Sequence, residues 1–337
     1  MKLMQNREFG IGIIGTGHHL PSKIQSNEEL CLIIDGLTPD WIISKTGIKR
    51  RYQISGDETA SSMATEAARK AITNANIDAN EIGLIIVASF SQDYLFPPMS
   101  AKIHSNFNLK KNCQVIDINS NCVGLVTALT IASERMKSDP SIQYALVIGV
   151  EVLSKYTNPK DQETAIFFSD GASATILGKI DDEQSGYQGA KFLTDSSTYE
   201  SVRMRGGGSL FPIGQKTDDA KALYMEQNGL ATWKQAVTNF PVVIQNLLEY
   251  QSLKTDDIDF FIFHQANGFL IDYLMKKMRV PVNKTYTNVQ EVGNTGSASI
   301  GIALSEAFSK DLIKKQSNLV IAGVGAGFNF GACLFKI

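Results

Sequence analysis

Residues 79–93 read ANEIGLIIVASFSQD, and residues 255–270 read TDDIDFFIFHQANGFL. Each opens with an acidic turn, continues as a short apolar run of strand length, and leaves through polar residues. A second pair behaves alike. YALVIGVE from Tyr144 is echoed by NLVIAGVG from Asn318, and a Gly-rich link leads each into another apolar run, SDGASATIL in one and GFNFGACLF in the other. Both pairs are offset by roughly 174 positions, about half the chain, so the repeat unit is a half-molecule rather than a solenoid turn. Two similar halves are expected, 1–185 and 186–337. They join near DDEQSGYQG at Asp181–Gly189, where charge, Gly and polar residues collect.

Runs such as LIIVA and ALVIGV have the composition of strands buried on both faces, while the segments between them carry helical periodicity. That pattern predicts an α/β fold with sheets sandwiched by helices. Residues 58–75 place Met63, Ala67, Ala71 and Ile72 on one helical face. Residues 223–250 read as two helices or one kinked helix, because Pro241 interrupts the pattern. The chain of 337 residues is 43% hydrophobic and 20% charged, enough apolar material for one large core or two joined ones. A net charge of -2 supplies no global basic field, so neither nucleic acid nor an anionic membrane is an implied partner. With no apolar run long enough to span a bilayer and no secretory leader pattern, a cytoplasmic protein is expected. Its four cysteines lack metal-type spacing and read as free thiols, with no metal site.

One of those thiols stands apart. QVIDI at Gln114–Ile118 predicts a strand, and Asn119, Ser120 and Asn121 are N-cap candidates for an apolar helix running on from VGLVTAL. Cys122 therefore opens a buried helix, where unpaired N–H groups and the macrodipole favour a thiolate. Cys31, Cys113 and Cys333 read as packed hydrophobes. Of the four histidines, His18 and His19 fall in an N-terminal loop (GTGHHLP), and His104 falls in a helix. His264 ends the strand FFIF and enters the polar loop HQAN, within reach of a substrate. Asn294 lies between glycines in EVGNTGSAS, just before a helix. Taken singly, a histidine at a strand end is more often structural, and an Asn in such a turn more often conformational.

Cys122 at a helix start, HQAN after a buried strand and GNTGSAS before a helix together resemble the ketoacyl-acyl carrier protein synthase III family of the thiolase-like fold. The resemblance extends over nearly the whole chain. IIGTGHHLPSKIQSNEEL is similar to the family's opening strand and loop, PDWIISKTGIKRRY to its Trp-containing TGI segment, FFSDGASATIL to its Asp-Gly-Ala-Gly turn, and GAGFNFGA to its C-terminal Gly-rich loop. It implies two duplicated halves in a layered αβαβα sandwich, with the active site where they meet.

It also implies a decarboxylative Claisen condensation. Cys122 would accept an acyl group from a thioester, with the backbone N–H groups of Cys122 and Ala326 as the oxyanion hole. His264 and Asn294 would hold the enolate left when a malonyl thioester loses carbon dioxide. Trp41 and Lys45 match the segment that holds the donor's adenine, with Lys45 in place of an arginine, and Gln162 stands where a second arginine stacks. Trp233 falls at the pantetheine channel. Phe96 resembles a phenylalanine that lines the partner's pocket across a homodimer interface. Lys234, Lys276 and Lys277 resemble the basic patch that docks acyl carrier protein, although Phe269 replaces an arginine there. No resident cofactor is implied, since coenzyme A or phosphopantetheine thioesters are substrates.

Two other readings stand beside this one: a synthase III-like acyltransferase of specialised metabolism that passes the acyl group to another acceptor, and a non-catalytic interaction subunit. The trio Cys122, His264 and Asn294 argues against the second. RGGGS at Arg205–Ser209 lacks the Lys-Ser/Thr of a phosphate-binding P-loop and reads as a loop near the active-site mouth.

Overall fold

The structure, a computed structural model, describes residues 9–214 and 219–337. The first half builds a five-stranded sheet from β1 (Gly10–His19), β2 (Ile82–Ala88), β3 (Gln114–Ile118), β4 (Tyr144–Val152) and β5 (Asp170–Ile180) in the order β1-β5-β4-β2-β3. The second half builds a four-stranded sheet from β6 (Gly186–Thr194), β7 (Phe260–Phe263), β8 (Asn318–Gly325) and β9 (Asn329–Lys336) in the order β6-β9-β8-β7. The echoed segments occupy matching places. β4 and β8 each pair in parallel with the strand from the acidic-turn motif and antiparallel with the strand that follows. Strand β3 sits at the edge of the larger sheet.

Five layers result. Helices α1 (Ala60–Ala75) and α2 (Met99–Asn106) cover the outer face of the first sheet. Helix α3 (Gly124–Ser138) and, near the chain's end, α6 (Ser299–Ser309) fill the space between the sheets, packing on Leu84, Ile86 and Val147 on one side and Ile262, Leu319 and Ile321 on the other. Helices α4 (Gly229–Tyr250) and α5 (Gly268–Met278) cover the outer face of the second sheet. This is the layered thiolase-like α/β sandwich.

Several local expectations change. His18 and His19 end strand β1 rather than lying in a loop. Their glycine-rich surroundings serve close packing: a Cβ on Gly15 would sit 2.5 Å from the Ala71 carbonyl of α1, and one on Gly17 would strike Ala67. FFSDGASATIL forms strand β5, not a turn. Asp170 begins it and accepts hydrogen bonds from Ile54 N–H and Ser154 N–H, both at 2.8 Å. Helix α4 is continuous through Pro241, and it starts at Gly229 because the Asn228 side chain caps it by accepting from Ala231 N–H at 3.0 Å.

Candidate active site

Strand β3 delivers the chain to Cys122. Asp117 turns outward and accepts from the first N–H groups of α2, Met99 at 2.5 Å and Ser100 at 2.8 Å, which fastens the Tyr94–Pro98 loop beside the strand's end. Cys122 then falls in a short 3-10 turn, Asn121–Val123, ahead of α3. None of the three cap candidates caps that helix. Asn119 Oδ1 accepts from Asn121 N–H at 3.3 Å, Ser120 pairs with Thr127, and Asn121 takes φ 49°. The expected thiolate is not the resting state. Burial, reinforced by the carboxyl of Glu151, pushes the Cys122 thiol up to about 12, outweighing the backbone N–H that favours the anion.

His264 follows β7, with its N–H donating to Ala322 O at 2.9 Å. The ring is 2% exposed, and burial holds it neutral by lowering its pKa to about 3. Nδ1 lies 2.6 Å from Ser299 Oγ, at the start of α6. That oxygen already accepts from Gln265 N–H at 3.2 Å, and its hydrogen bonds include no acceptor besides Nδ1. The network therefore assigns the Ser299 hydroxyl proton to Nδ1 and the ring's own proton to Nε2.

Asn294 is pinned between the halves. Its N–H donates to Phe167 O and its C=O accepts from Ser169 N–H, both at 2.9 Å. The left-handed backbone belongs to the flanking glycines, Gly293 at φ 77° and Gly296 at φ 55°. Asn294 Oδ1 accepts from Gly296 N–H at 2.9 Å, which leaves the amide NH2 as the free end.

All three side chains line one cavity of about 1140 Å³, together with Gly325 and Ala326. The β8–β9 turn presses against the backbone at Cys122: a Cβ on Gly325 would stand 3.1 Å from Cys122 N and 3.0 Å from Ser120 O. Ala326 has no positive φ, so alanine is accommodated there, and Gly327 takes a φ of 129°, which suits glycine and would strain any other residue. Glycines 206–208 of RGGGS also line the cavity. The arrangement suits covalent acyl chemistry: one thiol, two neutral side-chain donors and a backbone cradle in a largely apolar hollow.

The entrance residues are more scattered. Trp233 is in the cavity wall, 38% exposed and edge-to-face with Tyr273 at 6.1 Å. Trp41, Lys45, Gln162 and Phe96 lie outside that wall. Lys45 stands over the Trp41 ring at 5.9 Å, and Gln162 is exposed at the start of a short helix. Phe96 is 83% exposed on the Tyr94–Pro98 loop. Lys276 and Lys277 project from the last turn of α5, whose Leu270, Leu274 and Met275 are buried, and Lys234 borders a separate hollow of about 510 Å³. Sequence reasoning missed Ser299 and Glu151. For Glu151 a signal existed, an acid ending an otherwise apolar strand.

Comparison with known proteins finds relatives along nearly the whole chain. Residues 116–196 match the family profile described as 3-oxoacyl-[acyl-carrier-protein] synthase III, and residues 248–337 match that of its C-terminal part. The chain is 34% identical over 325 residues to the beta-ketoacyl-[acyl-carrier-protein] synthase III of Ehrlichia chaffeensis, covering 96% of this chain and 98% of that protein. It is 37% identical over 328 residues to the Clostridium perfringens protein of the same name, with 96% and 98% covered. Among solved structures, 3-oxoacyl-[acyl-carrier-protein] synthase III from Aquifex aeolicus superposes with a TM-score of 0.88 at 32% identity, covering 97% of this chain and 100% of that one. The priming beta-ketosynthase of the R1128 polyketide pathway gives 0.90 at 26% identity, with 100% and 99% covered.

Proposed function

Since the chain belongs to the 3-oxoacyl-[acyl-carrier-protein] synthase III family, we propose that it joins an acyl starter to a malonyl-acyl carrier protein thioester through an acyl-cysteine intermediate. It is an acyltransferase of the condensing class, and the comparisons favour condensation over transfer to another acceptor. The observation that carries the reading is the single cavity in which Cys122, His264 and Asn294 converge beside the Gly325–Ala326 turn.

In the first half-reaction Cys122 Sγ attacks the starter's thioester carbonyl. The resting thiol is protonated, so its proton leaves with the departing pantetheine thiol. The N–H groups of Cys122 and Ala326 receive the tetrahedral oxyanion, each such donor being worth roughly a hundredfold in rate. In the second, the malonyl carboxylate departs as carbon dioxide and its electron pair forms an enolate. His264 Nε2–H and the Asn294 amide hold that oxygen while the α-carbon attacks the acyl-cysteine. Cys122 is expelled as the thiolate and is reprotonated from solvent.

No resident cofactor is needed. The donor is a coenzyme A or phosphopantetheine thioester, held at the mouth by Trp41, Lys45, Gln162 and Trp233. Lys234, Lys276 and Lys277 form the docking face for acidic carrier protein. The working form is a homodimer, a reading supported by the unpaired outer side of β3 and by the exposed Tyr94, Leu95 and Phe96 beside it. Its place is the cytoplasm, where four unpaired thiols stay reduced.

Intact mass and carbon dioxide release test the assignment together. Cys122→Ala should form no acyl adduct, whereas His264→Ala should still be acylated but fail to decarboxylate the malonyl substrate. An adduct persisting on Cys122→Ala, or acylation lost while decarboxylation continues in His264→Ala, overturns the division of roles.

A further inference from the structure

Arg51 is fully buried, yet no carboxylate pairs with it among the described residues. It lies on the strand Arg50–Gln53, which pairs with Lys23–Ser26 in a two-stranded ribbon apart from the two main sheets. Burial lowers its pKa to about 10, which leaves the guanidinium charged at neutral pH. Its donors go to neutral oxygens: Nη1 and Nη2 to Asn27 Oδ1, both at 3.0 Å, and Nη2 to Ile166 O at 2.7 Å. A buried cation without a counter-ion is unfavourable, and an apolar side chain would fill the same space without that penalty.

What the guanidinium grips leads to Asn294. Ile166 caps the C-terminal end of the short helix Gln162–Ala165, and the next residue, Phe167, offers the carbonyl that accepts from Asn294 N–H. The Asn294 carbonyl in turn accepts from Ser169 N–H. Tyr52, beside Arg51, closes the far end of the same stretch: its N–H donates to Ser169 Oγ at 2.7 Å, and that hydroxyl donates to Tyr52 O at 3.1 Å. The ribbon therefore holds residues 166–169 at both ends, and those residues hold Asn294 between them. The stem of Arg51 supports the turn as well. A Cβ on Gly293 would stand 3.3 Å from both Arg51 Cγ and Phe167 O, so the residue before Asn294 is packed directly on the arginine. Cys122 sits in a different frame, formed by the 3-10 turn Asn121–Val123 and the Gly325 turn.

We propose that Arg51 is a positioning residue for Asn294: by anchoring the Ile166 carbonyl and backing Gly293 it sets where the Asn294 amide points, and it therefore serves the enolate half-reaction and not the acylation of Cys122. A guanidinium suits the task because Asn27 fixes the direction of its planar fork while the fork reaches Ile166. A lysine ammonium on a flexible stem fixes no such direction.

The inference rests on Asn294 as a donor to the enolate, and a double-mutant comparison separates the two claims. Arg51→Lys should be acylated on Cys122 at the wild-type rate with saturating acyl donor. It should release carbon dioxide from the malonyl substrate about tenfold or more slowly per acylated enzyme, approaching the roughly hundredfold loss expected of Asn294→Ala. Added to Asn294→Ala, Arg51→Lys should slow decarboxylation no further, because the amide through which it acts is gone. A merely structural role would instead multiply the two losses or lower both half-reactions together. Either result overturns the proposal, as does decarboxylation at the wild-type rate in Arg51→Lys when Asn294→Ala is impaired. If Asn294→Ala itself decarboxylates at the wild-type rate, the enolate assignment falls and the inference falls with it. Asn27→Ala keeps Arg51 but removes the oxygen that aims its fork, and it serves if Arg51→Lys does not fold: it should show the same split and no further loss beside Asn294→Ala, and losses that multiply there overturn the proposal equally.

Discussion

Replacing Ser299 by alanine separates the two half-reactions. Ser299 and Gln265 are each 1% exposed, and the Ser299 hydroxyl both accepts from Gln265 N–H and donates to His264 Nδ1. Without it, the imidazole loses the partner that keeps its proton on Nε2, and a ring that rotates or changes tautomer presents a lone pair to the developing enolate. Loss of one neutral hydrogen bond, about 0.5–1.5 kcal/mol, sets the lower bound on the kinetic cost; loss of a complete oxyanion-type donor, roughly a hundredfold or more, sets the upper. Malonyl decarboxylation should therefore fall by a factor between about two and a hundred, while acylation of Cys122, which in the proposed scheme does not use His264, stays at the wild-type rate. The buried Gln265 N–H is also left without an acceptor, so unfolding by denaturant should show a loss of about 1–3 kcal/mol. Radiolabelled carbon dioxide release and intact-mass acylation, measured on the same preparation, give the answer. Decarboxylation at the wild-type rate, or an equal fall in both half-reactions, would refute the tautomer argument.

Two further outcomes concern the approach of substrates. Gln162→Arg should improve acylation from acyl-coenzyme A by a few-fold to about thirtyfold, the worth of a guanidinium on an aromatic face at about 0.5–2 kcal/mol, and leave acylation from a carrier-protein donor unchanged; equal gains with both donors in matched intact-mass assays would show that Gln162 does not act on the nucleotide. Lys276→Glu combined with Lys277→Glu should raise the apparent KM for carrier-protein substrate, most steeply at low salt, without altering acylation by a small thioester, and a KM that ignores both mutation and salt would return these lysines to an ordinary solvated helix face.

The fold was legible because its strands are buried on both faces and so spell themselves as continuous apolar runs. LIIVA and FFIF carry that signal at full strength. β1 does not: its glycines, required for the approach of α1, imitate a loop and hid His18 and His19 inside a strand. Cys122, His264 and Asn294 were legible as chemistry-bearing residue types at element ends, which local sequence specifies, and the structure brings all three to one cavity. The protonation states were not. Cys122 owes its high pKa to burial and to Glu151 on another strand, and His264 owes its tautomer to Ser299 on another helix, neither of which spacing along the chain reveals.

Duplication explains why the site needs both halves and why they are not interchangeable. Register equates Ala88, paired with Gly149, with His264, which would oppose Gly323, and it equates Glu151 with Gly325. The paired glycines are used alike: a Cβ on Gly149 would stand 2.5 Å from Ser297 O, ahead of α6, and one on Gly323 would stand 3.4 Å from Val123 Cα, ahead of α3. Each half therefore lets the other's central helix begin against its own sheet. What differs is the next pair of side chains. Where the first copy has only Ala88, whose carbonyl accepts from Ser297 at 2.8 Å, the second sets the imidazole of His264. Where the second copy has Gly325, and so lets its turn reach the Cys122 amide, the first fills the matching place with the carboxyl of Glu151. Gly325 thus leaves the second copy open at the point where Glu151 fills the first, so only one of the two matching strand ends approaches the Cys122 amide.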